Sequence, residues 1–177
     1  MTKNTRFTSH GFRLAVLALA IAGPGSAMAA VATATSTGTV VSPIAISKAV
    51  DLSFGSFASS ATAGTVTVSP NNARAVSGGV TAAGGTSTAA KFDVVGTGTA
   101  TYSISFGGST TLTSGGNSMA FTRISDLSAS AATSGDVSTG TLTAGAQSIY
   151  VGGVLAVAAN QVAGAYTGTV TATVEYN

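Results

Sequence analysis

The chain has 177 residues with no cysteine and no tryptophan; only 7% of them are charged, for a formal net charge of +2. The missing cysteine excludes disulfide-stapled folds, cysteine metal sites and thiol chemistry. Leu, Met, Glu, Lys and Arg, which favour helices, are scarce, whereas Thr, Ser, Val, Gly and Ala dominate, so the composition predicts one all-β domain.

The first 29 residues have the layout of a secretory signal peptide. Three basic residues precede an apolar run at 14–22, and Ala27-Met28-Ala29 supplies a small-x-small cleavage site. Nine apolar residues are too few for a membrane-spanning helix, which needs roughly 20. We therefore expect cleavage before Ala30, export through the inner membrane, and no transmembrane segment in the mature chain.

Short stretches with strand character, separated by turn signals, follow this leader. Pairs of glycines mark the turns, as at Gly84-Gly85 and Gly115-Gly116. No stretch has a sustained helical repeat, so we expect almost no helix. The predicted strands are Val40 to Val50, Thr65 to Val68, Lys91 to Val95, Thr101 to Phe106, Met119 to Leu127, Gly140 to Thr143, and Ser148 to Val157.

The C-terminal segment 166–177 has the clearest strand pattern of the chain. Its even positions are apolar or glycine, and its odd positions are polar, mostly threonine. The pattern predicts a last strand with its even residues buried and its threonines exposed, and a one-residue slip would invert the two sets. With seven or eight short strands, the domain at 42–177 is predicted to be a two-sheet sandwich.

Chemistry-bearing residues are few once the leader is removed. The single histidine, His10, lies in the leader, so the mature chain can form neither a Ser-His-Asp triad nor a Cys-His pair. Four cations face five carboxylates without a basic stripe, which excludes nucleic-acid binding. We expect no enzyme activity, no metal and no cofactor. The carboxylates are predicted to lie near turns (Asp51, Asp93, Asp126, Asp136) or on the exposed face of the last strand (Glu175).

This C-terminus resembles that of the chaperone–usher pilus subunits. The shared features are a terminal alternating strand, the penultimate aromatic Tyr176, and a glycine fourteen residues from the end, Gly164. The resemblance implies an immunoglobulin-like Greek-key β-sandwich, possibly missing one strand, whose last strand a periplasmic chaperone grips before an outer-membrane usher assembles the subunits. The residues implied in that contact are Gly164, Tyr166, Gly168, Val170, Ala172, Val174 and Tyr176.

The mature N-terminus, 30–41, resembles a pilin donor strand, which completes the fold of a neighbouring subunit by β-augmentation. Ile44 follows Pro43 where most such pilins have a cysteine, and the donor side chains are smaller than usual. The implied donor residues are Ala32, Ala34, Ser36, Gly38 and Val40.

Three further motifs resemble a pilin-like family of short exported bacterial proteins of unassigned function. They are Leu52-Ser53-Phe54-Gly55, Val151-Gly152-Gly153-Val154-Leu155 and Gly164-Ala165-Tyr166-Thr167-Gly168. Two of them have a simpler explanation as well: Leu52 and Phe54 could be core strand residues, and Val151-Gly152-Gly153 could be a hairpin turn.

The leading hypothesis is a structural subunit of a surface fibre, a pilus or fimbria serving cell adhesion. It would assemble by donor-strand exchange with copies of itself or related subunits, passing through the periplasm to the cell surface. The alternative is a monomeric secreted or surface-associated β-sandwich binding module, for example for glycans.

Overall fold

The computed structural model describes residues 28–177, so almost all of the predicted signal peptide lies outside the described residues. The described chain divides after Gly38. Residues 28–38 form no strand and are all exposed. The described residues include no helix that is long and apolar enough to cross a membrane.

The unit Thr39–Asn177 consists of antiparallel strands joined by turns and loops, which confirms the predicted all-β fold. Its twelve strands are β1 (Ala45–Val50), β2 (Phe57–Ala58), β3 (Gly64–Val68), β4 (Arg74–Gly78), β5 (Thr81–Ala82), β6 (Ala90–Val95), β7 (Thr101–Gly108), β8 (Thr111–Ser114), β9 (Asn117–Asp126), β10 (Thr139–Thr141), β11 (Ala146–Val157) and β12 (Val170–Tyr176).

The large sheet is organised around β11, its longest strand. β6 pairs with the first half of β11 and β3 with the second half, while β9 pairs along the opposite edge. The exchange of partners occurs at Gly152 and Gly153, where a Cβ atom would collide with the Val68 carbonyl or the Phe121 ring. The hairpin explanation for this glycine pair is therefore wrong, because glycine is needed here for close packing.

The second sheet has three strands in the order β10-β7-β12 and packs on part of the large sheet. Gly140 of β10 lies against the buried ring of Tyr102, where a side chain would not fit. The side chains shared between the two sheets form the first core cluster, and the fold is a β-sandwich. That cluster contains Ala90, Phe92, Val94, Tyr102, Ile104, Leu142, Ile149, Val151 and Val174.

A second core cluster lies mainly on the β3, β9 and β11 part of the large sheet. The Phe54 and Phe121 rings meet edge to face there, with their centroids 6.1 Å apart. The residues packed around this cluster come from loops, from the short strands β2 and β8, and from the start of β12, rather than from the middle of the second sheet. The buried members are Phe54, Val66, Val68, Val80, Met119, Phe121, Leu155 and Val157.

Candidate functional site

The last strand, β12, has one unpaired edge among the described strands. It pairs with β7 alone, and the Ser109 N–H donates to the Thr169 carbonyl at 2.8 Å just before the strand begins. In an antiparallel pair, hydrogen-bonded and non-hydrogen-bonded residues alternate, so the odd residues of β12 bond to β7. The N–H and C=O groups of the even residues therefore point to the open edge.

The same even residues carry the apolar side chains that face inward. Val174 is only 8% exposed, but Val170, Ala172 and Tyr176 are half-buried. The threonines at 167, 169, 171 and 173 are all exposed, so the face was predicted correctly. The predicted burial of Val170, Ala172 and Tyr176 was too high, because no described strand pairs with the open edge of β12.

An open groove lies at the start of this edge, between Val170 and the end of β1. It comprises two cavities, of about 450 and about 780 Å³, which share the lining residues Leu52, Phe54, Leu112 and Tyr166. The smaller one reaches Val170 and the larger one extends over the second core cluster. β12 thus combines an unpaired edge with a groove of mixed apolar and polar lining that begins at Val170.

Tyr176 lies at the other end of the open edge of β12, away from the groove. Its hydroxyl donates to the Ser42 carbonyl at 3.0 Å and accepts a hydrogen bond from the Thr97 N–H at 2.8 Å. The Ser42 N–H in turn donates to the Thr97 hydroxyl at 2.8 Å. These three bonds, here called the clasp, join the last strand to the residues that precede β1.

Residues 44–176 match a family model described as "Domain of unknown function (DUF4402)". The chain belongs to this family. No match was found among curated proteins or among solved structures. The prediction of a family of unassigned function is confirmed, whereas the match does not show a chaperone–usher pilin.

The matched DUF4402 region contains both walls of the groove, β1 and β12, and excludes the segment 30–43. The five predicted donor residues, from Ala32 to Val40, are exposed and form no strand. Gly38 has no atom within 4 Å of the position that a Cβ would occupy.

Three of the predicted C-terminal contact residues lie outside β12. The strand begins at Val170, whereas Thr167 forms a bridge with Thr113 of β8, in the large sheet. Gly164 and Gly168 flank this bridge, and the Tyr166 ring lines the groove. The prediction of one strand over 166–177 was too long, because the chain crosses from one sheet to the other at Gly168.

The charged side chains stabilise loops and strand pairs. The Ser148 hydroxyl, and then Lys91, hold the pKa of Asp93 below its ordinary value. Asp93 lies within β6, so its predicted position near a turn was wrong. The Ser130 hydroxyl does the same to the pKa of Asp126. In residues 28–177, no group of three or more His, Cys, Asp or Glu side chains is placed to hold a metal ion.

Two other charged groups are tied into the fold. The Arg123 guanidinium lies 4.5 Å from the centre of the Phe106 ring and pairs with Asp136 at 2.8 Å. Arg74 donates to the Phe54, Ser56 and Gly84 carbonyls, fixing the loop that forms one wall of the groove. Neither arrangement leaves a reactive group facing the groove.

Most groove-lining residues were not predicted as site residues. Phe54 carried a signal, since it belongs to the Leu52-Ser53-Phe54-Gly55 motif, although it was considered only as core. Leu112 carried none, because β8 is too short to be recognised.

Proposed function

We propose that this protein is a structural subunit of a bacterial surface fibre and that a strand from another subunit completes its sandwich at β12. The observation that carries the proposal is the unpaired edge of β12, with a groove at its first residue whose lining includes Phe54 and Phe121. Strand addition at an exposed edge derives affinity from main-chain hydrogen bonds and specificity from alternate side chains. β12 offers both.

The extension 30–41 suits the role of the donated strand. It has no charged residue, and at about 3.3 Å per residue its twelve residues could span about 40 Å, more than the seven residues of β12. The small side chains at its even positions would face the groove. Its threonines would face water, as the threonines of β12 do. The donor would come from a copy of this protein or from a related subunit.

The proposed route follows that of the pilin-like proteins. After export, a periplasmic chaperone would cover β12, and an outer-membrane usher would replace it with the extension of the next subunit. A covering is needed on physical grounds, because an uncovered strand edge promotes aggregation. The immunoglobulin-like character of the sandwich and its place in a fimbria belong to this proposal.

Substitutions in the extension test the proposal. Gly38→Leu places a large side chain on the face that enters the groove, whereas Thr39→Leu places the same side chain on the opposite face. Both positions are exposed, so neither change should affect the stability of the domain. We expect Gly38→Leu to abolish fibres in electron micrographs of exported protein, and Thr39→Leu to preserve them.

A monomeric binding module is the competing function, and the size of the groove favours it. A cavity of about 780 Å³ falls within the range of about 300–1,000 Å³ that small-molecule sites occupy. In that case the extension would be dispensable. A protein lacking 30–41 that stays soluble, monomeric and as heat-stable as the complete mature chain would contradict the fibre proposal.

A further inference from the structure

The residues that connect the extension to β1 have an unusual set of restraints. Both backbone polar groups of Ser42 are bonded, the N–H to Thr97 and the carbonyl to Tyr176. Pro43 follows, and Ile44 packs against the first core cluster together with Tyr176. Three consecutive residues are therefore held by hydrogen bonds, by ring geometry and by packing.

These restraints affect whether an extension can enter the groove of its own chain or only that of another copy. To lie beside its own β12, an extension would have to reverse direction and form a hairpin with β1. A two-residue hairpin turn at Ser42-Pro43 needs a positive φ either at both residues, which the ring of Pro43 forbids, or at Ser42, a conformation that favours glycine. Proline also keeps the residue before it extended. A longer turn would use Ile44 and remove it from the core.

We propose that the clasp, with Pro43 and Ile44, keeps residues 42–44, the root of the extension, straight. The extension therefore cannot enter the groove of its own chain. The extension is thereby reserved for a second copy of this chain. This inference rests on the proposed function, since it concerns the same groove and the same strand. It adds a device that prevents a subunit from closing on itself and ending the fibre.

A matched set of variants tests the device in protein expressed from the full-length sequence. Pro43→Gly with Tyr176→Phe releases the root, and Pro43→Gly alone serves if the double variant folds poorly. Tyr150→Phe is the control, because Tyr150 is half-buried and its hydroxyl makes no hydrogen bond within the described residues. Amide exchange at Val170, Ala172 and Val174 reports whether a strand occupies the groove.

In the unsubstituted protein and the control, we expect these amides to exchange freely at low protein concentration and to become protected as the concentration rises. In the released variants, protection should appear at low concentration and be unaffected by dilution. For the double variant, the ratio of self-closed to open chains should rise about five- to hundredfold, the equilibrium change expected for the loss of the two hydrogen bonds of the Tyr176 hydroxyl, and more protein should remain monomeric at a fixed concentration.

Two results would overturn the inference. In the first, the dilute unsubstituted protein already shows protection that deletion of 30–41 removes, so that an extension fills its own groove. In the second, the released variants behave like the control. If a synthetic peptide of residues 30–41 protects no amide of β12 at any concentration, the proposed function itself fails, and the inference with it.

Discussion

Replacing valine by threonine at two positions of β12 measures how far its inner face is covered. Val174 is 8% exposed in the first core cluster, whereas Val170 lies half-buried at the groove. Threonine has nearly the shape of valine, so each substitution mainly adds a hydroxyl. Both residues lie on the same strand and the same face, which makes Val170→Thr the matched control for Val174→Thr.

The two free energies should differ for a reason of solvation. Burying a hydroxyl without a partner costs about 1–3 kcal/mol in proteins, so Val174→Thr should lower the free energy of unfolding by about 2 kcal/mol. For a chain of this size that corresponds to a fall in Tm of about 4–8 °C. At Val170 water can reach the hydroxyl, and the cost should stay within about 0.5 kcal/mol.

Urea unfolding of both variants, monitored by circular dichroism, gives the two costs directly. A saturating peptide of residues 30–41 should raise the cost at Val170, since the peptide would cover that site, and leave the cost at Val174 nearly unchanged. A Val170→Thr variant that loses as much stability as Val174→Thr without peptide would refute the open groove, because it would mean that β12 is covered along its length.

Two further predictions concern the fold and its pH dependence. Gly153→Ala drives a Cβ into the Phe121 ring and should lower the free energy of unfolding in urea by about 3 kcal/mol. The control Gly107→Ala, whose Cβ would have its nearest contact at 3.9 Å, should cost under about 1 kcal/mol, and equal costs would contradict the packing at β11. Asp93 and Asp126 have folded pKa values below the ordinary value of about 4, so their contribution to the free energy of unfolding is complete above that pH and is lost as the pH falls through the lowered values. Asp126→Asn should make the free energy of unfolding fall less steeply in an acid titration, and an unchanged slope would contradict the role of Asp126.

The strands that could be predicted are those with an alternation visible in the sequence. β6 reads Ala90 to Val95 with alternating burial, and β12 shows the same period. β4 was missed because four of its five residues, from Ala75 to Gly78, are exposed, so no apolar face distinguishes it from a loop. β8 has only four residues before its glycine turn.

The errors have a common physical cause. A local pattern does not show which atoms from distant parts of the chain occupy the space around it. Gly152 and Gly153 resemble a turn, yet they lie in the middle of β11 because backbone and ring atoms of neighbouring strands leave no room for a side chain. Likewise, the alternation from Tyr166 onward continues unbroken through the point where the chain changes sheets.

The sequence predicted one feature of the site, the inward face of β12, but not its burial or its contacts. The inward face of β12 followed from its alternation, but its incomplete burial depends on an edge that the described strands leave unpaired. The role of Tyr176 in the clasp also depends on tertiary structure, because its partners Thr97 and Ser42 are 79 and 134 residues away in the chain.

Amide exchange along β12 tests the central claim most directly. In dilute protein, the N–H groups of Thr171, Thr173 and Glu175 should be protected by β7, while those of Ala172 and Val174 exchange freely. Adding a peptide of residues 30–41 should then protect Ala172 and Val174 as well. Uniform protection along β12 before the peptide is added, or no change at saturating peptide, would contradict an open edge that receives a donated strand.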